Sequence, residues 1–140
     1  MTHLQWHTKV KRLLELSERK PKQAARSFHL LAQAVDRGLK NGLHDWHLTQ
    51  SLHLASIAET DAGDHRAAAR TLNRIVEHQR MLLVGEQRAY VAACAAAAIE
   101  FIKAGDQVAA RRTVLAAEPW ARMLRPPEKL LRKAQELLEA

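Results

Sequence analysis

Two segments 42 residues apart have nearly the same sequence, and this repeat constrains the fold more than any other feature of the chain. They span 62–72 and 104–114, and each begins with Ala-Gly-Asp. In both, an apolar helical pattern runs into this turn and a second helical pattern starts after it. Glycine accepts the left-handed conformation that ends a helix, and aspartate accepts hydrogen bonds from the free N–H groups of the next one. Self-similarity at such a period predicts stacked helix hairpins.

A weaker third copy precedes these two. Residues 24–28 read Ala-Ala-Arg-Ser-Phe and align with Ala-Ala-Arg-Thr-Leu at 68–72, at a spacing of 44. Pro21 replaces the glycine turn and fits the first turn of a helix, where its missing N–H costs nothing. The chain is therefore predicted to form three antiparallel hairpins and a C-terminal capping helix. Their ranges are about 3–38, 43–82, 86–118 and 127–139.

Composition and apolar spacing predict an all-α fold. Aromatic residues make up only 4% of the chain and alanine is abundant, a balance that favours helices over sheets. Seven helices follow from the spacing, at about 3–18, 21–38, 43–61, 65–81, 86–103, 107–117 and 127–139. Helix ends and turns are expected at Gly38, Asn41–Gly42 and Gly85. Pro119 should interrupt the sixth helix, and Pro126–Pro127 should start the last one. One side of the last helix carries the apolar residues Leu130, Ala134, Leu137 and Leu138.

The pattern resembles the tetratricopeptide repeat family, whose hairpins carry a Gly-Asp-type turn, then a small residue, then a large apolar one. The small residue here is Ala68 or Ala110, and the large one is Leu72 or Val114. The period of 42 to 44 exceeds the family's 34, and the tryptophan, glycine and tyrosine usual in the first helix are mostly absent. The resemblance implies a single domain over residues 1–140, folded as a right-handed α-solenoid.

The resemblance also implies that the first helix of each hairpin lines a groove that receives a peptide or helix. The groove candidates are Trp6, Lys9, Leu13, Leu16, Gln50, His53, Ile57, Asp61, Ala92, Ala95, Ile99 and Lys103. Their mixture of apolar and charged groups suits an amphipathic partner segment. Trp6, Lys9 and His53 are the strongest candidates for contact. By contrast, Leu13, Ala92 and Ala95 are expected to pack against a neighbouring hairpin.

Positive charge is concentrated near the N-terminus. Residues 1–42 carry nine Lys and Arg against three acids, which accounts for +6 of the net charge of +7. Such a surface attracts nucleic acid, anionic lipid or an acidic protein, whereas a solvated surface that aids solubility is the alternative. We call the following set the basic patch: Lys9, Lys11, Arg12, Arg19, Lys20, Lys22 and Arg26.

The histidines, the cysteine and the sequence motifs give little support for catalysis. The pairs His3/His7 and His44/His47 have helical spacing, but no further ligands accompany them, so we expect exposed histidines and no metal or cofactor. Cys94 is the one cysteine, which excludes an internal disulfide, and its alanine-rich surroundings indicate a small core residue. The sequence contains no nucleophile motif and no phosphate-binding glycine loop. The chain is therefore predicted not to be an enzyme.

The predicted function is a protein–protein interaction module, an adaptor or chaperone-like binder of a partner segment. Two alternatives stay open: a nucleic-acid-associated or regulatory helical protein that uses the basic patch, and a homodimer. The first residues lack the apolar core of a signal peptide, and no segment is long and apolar enough to span a bilayer. We therefore expect a cytoplasmic protein without a membrane partner.

Overall fold

The computed structural model of the protein describes residues 1–38, 42–81 and 87–140. These residues confirm the all-α prediction, because their regular structure is entirely helical. The helices pack sequentially in antiparallel pairs. Seven helices lie in the described ranges: α1 (His3–Arg19), α2 (Pro21–Gly38), α3 (Asp45–Asp61), α4 (His65–Met81), α5 (Gln87–Lys103), α6 (Gln107–Ala121) and α7 (Lys129–Glu139).

Most predicted boundaries agree with the observed ones. α2 and α4 have the predicted bounds, and α1, α3 and α5 differ from theirs by one or two residues. The predicted turn residue Asn41, the predicted stop Gly85 and the predicted helix start Glu86 lie outside the described residues.

The two Ala-Gly-Asp turns have the same geometry. Gly63 and Gly105 take positive φ values of 79° and 83°, which glycine tolerates without steric cost. In each turn the aspartate N–H donates to the carbonyl five residues earlier, at 2.9 Å from Asp64 and 2.8 Å from Asp106. The glycine N–H donates to the carbonyl three residues earlier, at 2.9 and 3.0 Å. This pair of bonds satisfies the last carbonyls of α3 and α5 in a Schellman motif. The predicted cap on α6 is confirmed, because Asp106 Oδ1 accepts from the Ala109 N–H at 3.1 Å.

The sixth helix corrects the prediction that Pro119 interrupts it. α6 continues through Pro119 and ends at Ala121. The proline stands in the last turns, so it removes only the bond that its N–H would have made to the carbonyl of Leu115. Both residues are exposed, so the carbonyl of Leu115 is accessible to solvent at the end of the helix.

The last helix also differs in its start and its apolar face. α7 begins at Lys129, because the carboxylate of Glu128 caps it and accepts from the N–H of Leu131 at 2.8 Å. Leu131 and Ala134 are the buried residues, whereas the predicted stripe residue Leu137 is exposed. Of the predicted stripe, Ala134 is buried as expected and Leu130 and Leu138 are half-buried, so the buried face of α7 overlaps the stripe and is shifted towards Leu131.

The first compact unit spans Met1–Asp64 and contains α1, α2 and α3. α2 packs against both of its neighbours through its buried apolar residues, which include Leu31 and Val35. Phe28 is the largest fully buried side chain of this unit, and Ala24 and Ala32 allow the neighbouring helices to approach closely.

The second unit spans His65–Ala140, and α5 is its central helix. α5 packs against α4, α6 and α7, so that within it only Arg88 and Lys103 are exposed. A helix that is buried almost all round is apolar on every side, as the alanine-rich sequence of α5 is. The predicted single domain and the predicted hairpin over 43–82 stay predictions, since α3 and α4 belong to different units.

The glycine turns give a direct test of this geometry. A Cβ built on Gly105 meets no atom within 4 Å, so Gly105→Ala should cost stability through its backbone conformation alone. We expect a loss of about 1–2 kcal/mol in urea unfolding followed by circular dichroism. Gly105→Asn is the control, because asparagine tolerates positive φ better, and it should lose less. Equal unfolding midpoints for the wild type and Gly105→Ala would contradict the assignment.

Candidate functional site

The predicted groove residues of α3 form one exposed face. Gln50, His53, Ile57 and Asp61 are all exposed, and their spacing places them on the same side of the helix. Trp46, one turn before Gln50, continues this side and is 49% exposed. We call these five residues the α3 face. The opposite side of α3 is buried, so the face is the part of this helix that is free to meet a partner.

The predicted contacts on α1 are only partly available. Trp6 is 4% exposed, and its Nε1–H donates to the hydroxyl of Ser51 at 2.9 Å, so it belongs to the core of the first unit and offers no surface to a partner. Lys9 is exposed, whereas Leu13 and Leu16 are half-buried. Trp6→Ala would therefore remove core volume, at about 3–5 kcal/mol, as well as any contact.

The predicted groove residues of α5 lie in the second unit and are mostly covered. Ala95 and Ile99 are buried and Ala92 is half-buried, because α5 has helices on three sides. Lys103 is exposed, and its Nζ lies 3.6 Å from Oε1 of Glu100. The face predicted for α5 therefore offers Lys103 and little else to a partner.

Histidine and tryptophan side chains from the first turns of α1 and α3 form a cluster in the first unit. It contains His3, Trp6, His7, His44, Trp46 and His47, and we call it the His–Trp cluster. Trp46 stacks on His47 with 3.8 Å between ring centroids, and Trp6 stands edge-on to both rings. His47 is 1% exposed, which corrects the expectation that the paired histidines are all exposed.

The hydrogen bonds of His47 fix its tautomer. Nδ1 of His47 lies 3.0 Å from the backbone nitrogen of His44, which can only donate, so this Nδ1 carries no proton. The proton of neutral His47 is therefore on Nε2, which donates to Nδ1 of His3 across 2.9 Å. Both ring nitrogens are satisfied only while the imidazole is neutral. Protonation of His47 would break the bond from His44.

Burial and neighbouring charge act on this imidazole in the same direction. Desolvation lowers the pKa of His47 below 6.5, and repulsion from His3 adds to the effect. Desolvation also lowers the pKa of His53, although that residue lies at the surface on the α3 face. Both groups therefore resist protonation in the folded state.

The sequence carried a signal for this cluster that the histidine spacing alone did not give. The dipeptide Trp-His occurs at 6–7 and again at 46–47, at the start of α1 and of α3. The two pairs are 40 residues apart, which is close to the repeat period of 42 to 44, so they occupy similar places in neighbouring repeats. The recurrence predicts the contact between the two helix starts, whereas the separate pairs suggested only exposed rings.

Two buried carboxylates are also absent from the sequence-based candidates. In the first unit Oε1 of Glu59 lies 3.4 Å from Nε2 of His29, and in the second Oε2 of Glu100 lies 2.8 Å from Nδ1 of His65. Each pair joins two neighbouring helices of its unit, α2 with α3 and α4 with α5. Their place between packed helices indicates that they position those helices.

The basic patch is fully at the surface. All seven residues are exposed, and within the described ranges none of them forms an ion pair. They follow α1 from Lys9 to its last turn and continue into the first turns of α2. Arg19 also interacts favourably with the negative end of the α1 dipole, which gives it a structural role.

The described residues include one thiol and several side chains of the kinds that bind metals. Cys94 is buried, and desolvation raises the pKa of its thiol to about 11, so the nucleophilic thiolate is scarce at neutral pH. Among the residues with described positions, no three His, Cys, Asp or Glu side chains come together in a way that could hold a metal ion.

Comparisons with known proteins add no relative. Neither the protein-family models nor the curated proteins and solved structures compared with this chain give a match. In the described part of the chain, no helix is long and apolar enough to cross a membrane.

The lowered pKa of His47 predicts how stability depends on pH. The unfolded chain takes up protons near pH 6.5 while folded His47 stays neutral, so the free energy of unfolding should fall as the pH decreases through and below that value. The stability contributed by the neutral ring is present above pH 6.5 and is lost towards the lower folded-state pKa. His53 acts with the same sign.

His47→Gln is the variant that isolates this effect. A glutamine amide can accept from the His44 N–H and donate to His3, but it does not titrate. Urea unfolding followed by tryptophan fluorescence at about pH 7 and pH 5 should show a smaller loss of stability in His47→Gln than in the wild type. The same loss in both proteins would contradict the assigned role of His47.

Proposed function

We propose that the protein is a non-enzymatic protein–protein interaction module that binds a segment of another protein along the α3 face. The observation that carries the proposal is the exposure of two large apolar side chains on this face, Trp46 at 49% and Ile57 at 44%. Gln50 and His53 lie between them and offer hydrogen-bonding groups. Burial of a half-exposed tryptophan by a partner supplies a large share of the energy of many interfaces.

The spacing of the face defines what the partner segment must present. Trp46 and Ile57 are eleven residues apart, which corresponds to about 16 Å along the helix axis. A helical partner needs two apolar residues at a similar separation, on the face that it lays against α3. Polar residues between them would meet Gln50 and His53. The partner is thus an amphipathic segment with apolar side chains three turns apart.

The proposal retains the tetratricopeptide-like solenoid as its architecture, with hairpins at about 3–38, 43–82 and 86–118. The matched glycine turns at Gly63 and Gly105 support it, because a recurring turn is what a stacked array requires. α7, which packs on α5 and α6 at the C-terminal end, supports the role of a terminal cap.

The absence of an enzymatic role is part of the proposal, and it is supported by the reactive groups. The thiol of Cys94 is buried and protonated at neutral pH, and the buried carboxylates pair with histidines between helices. The exposed polar groups of the α3 face are an amide, an imidazole and a carboxylate that sit apart along one helix.

Variants of the α3 face test the proposal through partner capture. Trp46→Ala and Ile57→Asp should each lose the same partner from an extract of the native host, because each removes one apolar anchor. Leu30→Asp is the matched control, since Leu30 is 64% exposed on α2 of the same unit and lies outside the face. It should retain the partner.

If Ile57→Asp captures as much of the partner as the wild type, the α3 face is not the binding surface. Light scattering on the same proteins decides the homodimer alternative. A dimer that Ile57→Asp converts into a monomer would mean that the occupant of the face is a second copy of this chain.

The basic patch supports a second candidate function, binding to nucleic acid. The favouring observation is that seven exposed cations without an ion pair in the described residues lie around one helix junction. Phosphate contacts of this kind release counterions, so affinity falls steeply as salt rises.

Charge reversal at two residues of the basic patch distinguishes nucleic-acid binding from a surface that only aids solubility. Lys9→Glu with Arg12→Glu should weaken binding to a DNA duplex by about tenfold or more at low salt. Lys129→Glu with Lys133→Glu makes the same change of charge on α7 and should leave binding nearly intact. If both double variants lose affinity equally, the patch has no special role.

A further inference from the structure

A cleft of about 330 Å³ opens in the second unit between α4 and α6, with α5 as its floor. Its walls carry charged residues from the two outer helices, Glu77 and Arg80 from α4 and Arg112 from α6. The cleft lies wholly within the second unit and shares no residue with the α3 face. It therefore stands independently of the proposed function.

The floor of the cleft is neutral and mainly apolar. Tyr90 and Cys94, one turn apart on α5, are both buried there. Desolvation raises the pKa of Tyr90 to about 12 and that of Cys94 to about 11, so neither carries charge near pH 7. Val76 and Phe101 extend this surface along the cleft.

The rim carries an excess of positive charge. Glu77 and Arg112 stand on opposite walls, yet in the part of the chain with described positions neither of them forms an ion pair, and Arg80 forms none either. Among the described residues that line the cleft, two guanidinium groups and one carboxylate give a net charge of +1 above an apolar floor. A guanidinium binds a carboxylate through paired N–H donors that fit its two oxygens.

We propose that this cleft binds a small organic anion, an aromatic or aliphatic carboxylate whose apolar body covers Val76 and Phe101. Its carboxylate meets the guanidinium groups of Arg80 and Arg112. The volume is at the low end of small-molecule pockets, which hold roughly 300–1,000 Å³. A partner helix is about 10 Å across and is too wide for such a space, so the cleft selects a small molecule.

Naphthalene-1-carboxylate is a suitable probe, because it combines an aromatic body with one carboxylate. Titration into the full chain, followed by ¹H–¹⁵N correlation spectra, should give saturable shifts of the amide signals of Phe101 and Ala109. The double variant Arg80→Gln with Arg112→Gln should weaken binding by about tenfold or more, since it removes two charge-assisted contacts.

The matched control is Arg70→Gln with Arg111→Gln, which changes one exposed arginine on each of the same two helices outside the cleft. It should retain the affinity of the wild type. Naphthalene-1-methanol, which lacks the charge, should bind more weakly than the carboxylate. The proposal is overturned if the shifts do not saturate at millimolar probe, if the cleft variant binds as well as the control, or if the neutral alcohol binds as tightly.

Discussion

Close packing of helices through alanine is the constraint on which the rest of this structure depends. Every helix after α1 places at least one alanine in the core with no exposed surface, among them Ala24, Ala55, Ala68, Ala97 and Ala134. Such residues let helix axes approach closely, but each buries little apolar area. The larger apolar residues between them, such as Phe28 and Leu72, fill the rest of the core. A larger side chain at any of the alanine positions would overpack the core. Aromatic side chains make up only 4% of the chain, so the partial exposure of Trp46 is informative.

Local signals predicted the helices well, because glycine, proline and aspartate act on the backbone around them. Gly63 and Gly105 end helices with a positive φ, and Asp106 caps the start of a helix, as these residue types do in many proteins. Pro119 shows the limit of such reasoning, since a proline near a helix end costs only one bond and α6 continues past it. Burial of Leu131 in α7, with Leu137 exposed, could not be predicted either, because it depends on how that helix packs on α5 and α6.

The candidate site was predictable in part for the same reason. Helical spacing placed Gln50, His53, Ile57 and Asp61 on one side of α3, and the structure leaves that side exposed. Spacing could not decide that Trp6 turns inward to Ser51, nor that His47 is buried against His3, because both facts depend on a neighbouring helix. The two tryptophans of the repeated Trp-His pair thereby take different roles. Trp6 holds α1 on α3, and Trp46 stacks on buried His47 while part of its ring stays open to a partner.

The central claim of this account is that a partner protein lies along the α3 face of the first unit. Site-specific photocrosslinking measures this directly, with p-benzoylphenylalanine placed at Gln50 on the face or at Leu30 on α2 of the same unit. The account predicts that irradiation in host extract joins the Gln50 protein to one partner and the Leu30 protein to it weakly or not at all. Crosslinks of equal yield from both positions, or from Leu30 alone, would contradict it.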